Sequence, residues 1–385
     1  MKNDQPLYLD YAATAPLKTG ALERMMPFMS APANAHARHH LYGANAARAL
    51  ESARGAVASK IGAPPAQIIF TSGATEANNL AIKGLADTLK ARGKNHIITS
   101  MVEHKAVLET MKYMQTQGFE VTYLRPKSCA MIEADFVAAA LTPQTGLVSI
   151  QAVNNELGTI QPLAEIAEIL KGRDILFHSD AAQALGKMTL DVGAMGVDLM
   201  SLSSHKIGGP QGVGALYAKD AKLLAPQMHG GGQEAGLRSG TVPTFLCVGF
   251  GAACEMIIDH RATFQAMRAD FLKRLEPLAP IVYGHRDPEW NVPNILNLRF
   301  EGIENDMLVM ALPALAFGTG SACSAGGSAL SHVIETIESA QAATETIRLS
   351  WGDNINVTDL NAAANMIFAT VTEIYQSMGI ERKRA

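Results

Sequence analysis

Cysteine is scarce in this chain: there are four among 385 residues, Cys129, Cys247, Cys254 and Cys323. None belongs to a CxxC pair and none is spaced with histidine as metal ligands are, which excludes a disulfide framework and a structural zinc site. Long apolar runs are missing too. The longest nearly uncharged stretch, TVPTFLCVGFGAAC, is too short to span a bilayer, and MKNDQPLYLD has no apolar centre of the kind a secretory signal needs. A soluble, cytoplasmic protein with no membrane role is expected. Charge of one sign does not accumulate either: a net charge of -4 gives no reason to expect nucleic-acid binding, and the closing ERKRA reads as a solvated basic tail. There is no internal repeat and no low-complexity linker. His36 and His40 are four apart in NAHARHH, but without a third ligand they read as a solvated or entrance-lining cluster, so no metal is expected.

What is present is apolar residue enough, 48%, to fill a sizeable core in a chain long enough for two domains. Cys247 and Cys254 fall in an apolar helical stretch and read as core, whereas Cys129 reads as a surface turn residue. Cys323 is different. It lies in GTGSACSAGGS (318–328), where four glycines in eleven positions can hold neither helix nor strand firmly and predict a loop. Only this thiol sits where reactivity is plausible.

Between about residues 66 and 220, short β-rich runs (QIIF, HIITS, EVTYL, LVSIQAV, ILFHSD, DLMSLS, VGALYA) alternate with amphipathic segments such as KAVLETMKYMQTQG and PLAEIAEILKG. That rhythm predicts an α/β fold with a mostly parallel sheet covered by helices on both faces. In such sheets ligands bind at the carboxyl ends of the strands. After about residue 260 the pattern becomes that of a smaller α+β domain: a helix, strand-like IVYG and NILNLRF, the cysteine loop, and two more helical segments. The first fifteen residues are expected to attach to it. The expected domains are therefore 16–259, and 1–15 joined with 260–385.

Five loops at the predicted carboxyl edge carry polar chemistry. TSGATEANN follows QIIF, and a small-residue turn entering a helix presents unpaired N–H groups at Gly73, Ala74 and Thr75 that suit a phosphate, although the same residues also read as an ordinary helix cap. His104 closes the next strand, and Asn154, Asn155 and Glu156 follow the one after. Asp180 stands directly after an apolar strand and needs a cationic or N–H partner if buried. Lys206, beside Ser203, Ser204 and His205, reads either as an amine made nucleophilic by desolvation and cationic neighbours or as a surface lysine before a glycine turn. Taken together, a phosphate cradle, a buried acid, a lysine and a histidine are the parts that hold pyridoxal 5'-phosphate.

SDAAQALGK, SLSSHKIGGPQGVGALY, MHGGGQEAGLRSGT and GTGSACSAG, with YLDYAATAP and FTSGATEANNLAIKG, resemble the cysteine desulfurases of the NifS/IscS group, class V pyridoxal-phosphate proteins of fold type I. The resemblance runs almost end to end. It implies that Lys206 links covalently to the cofactor, Asp180 partners the pyridine nitrogen, Gln183 bonds the phenolic oxygen, and His104 stacks on the ring and helps move protons. Ala74, Thr75, Ser203 and His205 would hold the phosphate, with Thr241 reaching it from the neighbouring subunit of a homodimer. Asn155 would serve cofactor and substrate, and Arg348, in TIRLSWG, would bind the substrate carboxylate; without the family it reads as a surface salt bridge. Cys323 would take sulfur from L-cysteine as a persulfide, leaving L-alanine, and pass it to a protein acceptor in iron–sulfur cluster assembly or RNA thio-modification.

The sequence departs from that family in three places. Ala35 stands where a proline is usual. GGSALSHVIETIESAQ lacks the usual proline and glycine after the cysteine loop, so the loop's anchoring is expected to differ. No counterpart of the scaffold-docking tail follows IYQSMGIERKRA, which leaves the acceptor open. Selenocysteine lyase, a class V aminotransferase and a non-catalytic cofactor-binding regulator are the competing readings; Cys323 speaks against plain transamination, and the presence of Lys206, Asp180 and Cys323 against the regulator.

Overall fold

The computed structural model describes residues 5–319 and 330–379. Its strands, in chain order, are β1 (Leu7–Tyr8), β2 (Ile68–Thr71), β3 (His96–Ser100), β4 (Glu120–Leu124), β5 (Thr145–Ser149), β6 (Leu176–Asp180), β7 (Leu199–Ser203), β8 (Gly214–Ala218), β9 (Ile281–Tyr283), β10 (Ile295–Arg299), β11 (Leu315–Ala316) and β12 (Thr346–Ser350). Each of the seven runs expected as strands between 66 and 220 is one, and together they form one sheet in the order β2-β8-β7-β6-β5-β3-β4. All neighbours are parallel except β8, which runs antiparallel to both β2 and β7.

Successive side chains of a strand point to opposite faces, so a sheet covered on both sides must be apolar at odd and even positions alike. Phe70, Ile98, Val148, Phe177, Met200 and Ala215 join one core cluster. Their neighbours Ile69, Ile97, Leu147, Leu176, Leu199 and Leu216 join another on the opposite face. This double burial is why the runs read as continuous apolar segments rather than as alternating ones.

A second sheet, β12-β10-β9, is antiparallel, with Asn297 opposite Arg348. Helices Arg261–Leu275 and Val357–Ser377 pack on it through Phe271, Leu275, Leu360, Ile367 and Val371, around Leu296, Leu298, Ile347, Leu349 and Trp351. Leu9 and Tyr11 belong to the same cluster, β1 pairs with β11, and Asp10 bridges to Ser350. After the cysteine loop the chain forms two short helices, His332–Ile337 and Ala340–Thr344, before β12 and the long last helix. The sequence reading anticipated helices there but not the strand. The charge of Arg348 interrupts the apolar run TIRLS and hides an alternation in which Ile347 and Leu349, both fully buried, face the core. Each such burial contributes roughly 1.5–3 kcal/mol.

Cys247 and Cys254 are fully buried, and Cys129 is half-buried in a turn. His40 caps the helix Leu41–Ser59 by accepting the Gly43 N–H at its Nδ1, 3.1 Å away. Among the described residues no helix is long and apolar enough to cross a membrane.

Candidate active site

In the large sheet the chain leaves β3 outward to β4 and then returns to β5 on the other side of β3. The loops after β3 and β5 therefore diverge at the carboxyl edge, where a topological switch point opens a crevice. A cavity of about 430 Å³ lies there. Ala74, Thr75, His104, Asn155, Asp180, Gln183, Ser203, His205, Lys206 and Arg348 all line it, together with Gly73 and Gln151. Ten side chains predicted from separate loops are thus brought together. Thr241 is exposed and does not line the cavity of this single chain. Cys323 falls within 320–329, outside the described residues.

Helix Ala74–Gly84 begins with Gly73 as its N-cap and with no side-chain cap. The Glu76 carboxylate instead accepts the Ser72 N–H at 2.7 Å and pairs with Arg238 at 3.0 Å. The ordinary cap that the sequence also allowed is therefore not made by a side chain, and the first-turn N–H groups face the cavity with the positive end of the helix dipole. The strands require glycine here: a Cβ on Gly214 of β8 would lie 2.7 Å from the Gly73 backbone and 2.5 Å from the Leu202 carbonyl.

Lys206 follows β7 in a single 3₁₀ turn, His205–Ile207, that ends at Gly208 with φ +80°. Its Nζ donates to the carbonyls of Ala12 and Ala13, both at 2.7 Å. The Asp180 carboxylate, 7% exposed, accepts from Asn78 Nδ2 at 2.6 Å and from the Ala182 N–H at 2.9 Å. The partner it needed is supplied by N–H groups. His205 touches Thr14 Oγ1 through Nδ1 at 3.1 Å, and burial, with Lys206 and Lys187 nearby, brings its imidazole down to about 4. It is therefore neutral at pH 7. His104 caps the helix Lys105–Thr116, its Nδ1 accepting from Ala106 N–H at 3.1 Å, which in the neutral ring leaves the proton on Nε2.

Arg348 is not on the surface. Its side chain is 4% exposed, pairs with Asp10 at 2.7 Å, and donates to the Asn155 carbonyl at 3.1 Å. Among the described residues, Arg348 Nε and Asn155 Oδ1 have no hydrogen-bond partner although both atoms are buried. A donor and an acceptor left unmatched beside a cavity are costly unless a ligand meets them. Gly318 pairs with Arg348 through both backbone bonds, at 3.0 and 2.6 Å, so the upstream end of the cysteine segment rests on this arginine.

Sequence reasoning did not single out Glu103 or Lys187 and offered Glu156 only as one polar residue of its loop. Glu103 is fully buried, accepts the Gln151 N–H at 2.9 Å, and burial pushes its carboxyl well above the ordinary range. Its signal was an acid immediately before a histidine at a strand end. Lys187 sits four residues after Gln183, a spacing that could have flagged the pair.

A family model described as aminotransferase class-V matches residues 7–362. The chain is 42% identical over 377 residues to a protein named cysteine desulfurase IscS from Neisseria meningitidis, an alignment covering 96% of this chain and 93% of that one. Among solved structures, one described as a NifS-like protein superposes with a TM-score of 0.86 at 31% identity, over 98% of this chain and all of the other. Another, described as SspA in complex with cysteine, does so with a TM-score of 0.79 at 41% identity, over 89% and 98%. The family match spans both sheets and every loop that lines the cavity, and the chain belongs to the class-V aminotransferase family, with the cysteine desulfurases of the NifS/IscS group.

Proposed function

We propose that this protein removes sulfur from L-cysteine, releasing L-alanine and holding the sulfur as a persulfide on Cys323 for a protein acceptor. The observation that carries the reading is the convergence of Lys206, Asp180, His104, Arg348 and an uncapped helix start on one cavity. The family implies pyridoxal 5'-phosphate, and these residues fit it. A Cβ on Gly73 would meet nothing within 4 Å, so the turn leaves open space for a phosphate, and the unmatched Asn155 Oδ1 and Arg348 Nε await polar partners.

Ala74 and Thr75 N–H groups, with Ser203 and His205, would hold the phosphate, joined by Thr241 of a second subunit in a homodimer. Lys206 would carry the covalent link, and Asp180 would keep a proton at the pyridine nitrogen. When bound, the cofactor supplies a sink for the electron pair released at the substrate Cα. Arg348 and Asn155 orient the substrate carboxylate. The amine of Lys206 takes the Cα proton and returns it during product formation, while His104, which lines the cavity, moves a proton near the substrate thiol. The Cys323 thiolate attacks the substrate sulfur: an S–S bond forms, the C–S bond breaks, and its electron pair stays with carbon, which is then protonated. Cysteine and enzyme thiol thus become alanine and enzyme persulfide, with no external oxidant.

We read residues 16–259 as the cofactor-binding domain and 1–15 with 260–385 as the domain bearing the thiol. A cytoplasmic location and delivery to iron–sulfur assembly or RNA thio-modification belong to the same reading. Mass spectrometry of the purified protein after L-cysteine addition without reductant, with alanine assayed in the same tube, tests it. One added sulfur on the Cys323 peptide together with alanine is expected; alanine without that sulfur overturns the role of Cys323, and neither product overturns the desulfurase reading.

A further inference from the structure

Lys187 belongs to no role described so far, yet its amine lies behind the site. It follows Gly186, whose φ of +76° and whose missing Cβ, which would approach Ile207 to 3.0 Å, turn the chain back toward Lys206. Its Nζ donates to Gln183 Oε1 at 2.7 Å and to the Gln183 carbonyl at 3.2 Å. At the other end of the same amide, Gln183 Nε2 donates to the Ala12 carbonyl at 2.7 Å, the carbonyl that also accepts from Lys206. A side-chain amide has an accepting and a donating end of nearly equal shape, and only its partners decide which way it faces. An ammonium can only donate and a carbonyl can only accept. Lys187 and Ala12 therefore each impose the same orientation, and one N–H of Gln183 remains for the cavity.

We propose that Lys187 is a positioning residue that locks the Gln183 amide as a donor toward an oxyanion of the bound cofactor. The proposal rests on the cofactor reading given above. Without Lys187 the buried Oε1 loses its donor, and rotating the amide to find another would present an acceptor to the oxyanion. The surroundings agree: Lys187 lines a second cavity of about 80 Å³, whose lining shares Lys206 with the main one. Its neighbours there include Lys18, His260 and Asp353. Burial, then Lys206 and Arg348, bring its amine down to about 7. Below that pH the ammonium only donates, and above it the neutral amine still has N–H groups for Gln183 Oε1, whose place is fixed by the Ala12 carbonyl at the other end of the amide.

The test follows the visible absorbance band of the holoenzyme as pH is varied, in wild type, Lys187→Met, Lys187→Arg, Gln183→Ala and the Lys187→Met/Gln183→Ala double variant. Loss of one donor to a charged oxygen makes the cofactor's link to Lys206 hold its proton more tightly, so Lys187→Met is expected to raise the midpoint by about one pH unit. Lys187→Arg, which keeps the donor, restores it. In the Gln183→Ala background Lys187→Met should add little, because its effect passes through Gln183. An unchanged midpoint in Lys187→Met, or a full shift that persists without Gln183, overturns the proposal. A wild-type protein with no visible band after loading would instead overturn the cofactor reading beneath it.

Discussion

The buried carboxylate of Glu156 accepts a hydrogen bond from the hydroxyl of Ser331, which in turn caps the helix His332–Ile337 by accepting the Ile334 N–H at 3.0 Å. Beside it, His332 Nε2 lies 2.9 Å from the Glu103 carbonyl. The sequence lacks the usual proline after the cysteine loop, and these two contacts, with the packing of Val333 and Ile334 against Val102 and Leu157, fasten the chain there, one residue from Asn155. Burial pushes the Glu156 carboxyl up to about 7, against the opposing pull of the Ser331 hydroxyl, Arg348, His104 and Lys105.

A stability prediction follows from that shift. The folded protein binds this proton more tightly than the unfolded chain does, so the contribution is fully present below about pH 4.3 and is lost as pH rises through 7. Glu156→Gln keeps an acceptor for Ser331 without the titration. Urea unfolding at pH 4 should give nearly equal stabilities, by pH 5 the variant should exceed wild type by ~1 kcal/mol, and by pH 8 by ~3–4 kcal/mol. A gap that does not widen with pH would show that the carboxyl is not raised.

Arg348 pairs with Asp10 and, in the proposed function, binds the substrate carboxylate; substitution separates the two. Arg348→Lys keeps a charge for Asp10 but loses the planar fork, so KM for L-cysteine should rise by at least ~10-fold with a smaller change in kcat. Arg348→Ala leaves Asp10, 17% exposed, without its cation and should destabilise the fold by about 3–5 kcal/mol. Steady-state kinetics and thermal unfolding of the two variants read these effects independently; an unchanged KM in Arg348→Lys would remove the arginine from substrate binding.

The large sheet was legible because each strand is buried on both faces and bounded by turn residues. The same property made the loops after those strands stand out, and the sequence alone places Asp180, His104 and Lys206 at one edge. β12 was not legible, since its polar side faces a site rather than water and so carries an arginine instead of a neutral alternation. The pairing of β1 with β11 joins residues some 300 positions apart in two-residue strands, which no local pattern encodes. Glu103, Glu156 and Lys187 escaped for another reason: an acid or lysine in a polar loop reads as solvated, and only the packing shows that its charge is enclosed.

Asp180 holds two N–H donors as well as the position assigned to the cofactor's ring nitrogen. Among the described residues Asn78 Oδ1 already has no partner, so Asp180→Ala would leave the whole buried amide unmatched there, costing about 1–3 kcal/mol in stability. The chemical effect should be larger. Without an acid to keep the ring nitrogen protonated, exchange of the substrate Cα hydrogen with deuterated solvent should slow by at least ~100-fold, followed by mass spectrometry of recovered L-cysteine. Exchange at the wild-type rate would show that the carboxylate supports the loop alone.

The cysteines offer a last test, because burial sets two of them apart. Cys247 and Cys254 lie fully buried in the helix Thr244–Glu255, and burial raises both thiols far above their ordinary range, so neither forms thiolate at neutral pH. Iodoacetamide at pH 8 should leave both unlabelled in the folded protein, and L-cysteine should place no sulfur on their peptides. Replacing either with alanine should cost about 1 kcal/mol through the small cavity left behind, with persulfide formation unchanged. Cys323→Ser should do the reverse: the visible band and unfolding midpoint stay, and protein-bound sulfur disappears. Sulfur recovered on Cys247 or Cys254 would contradict the division, since a thiol without solvent access or thiolate character can neither attack the substrate sulfur nor hand it on.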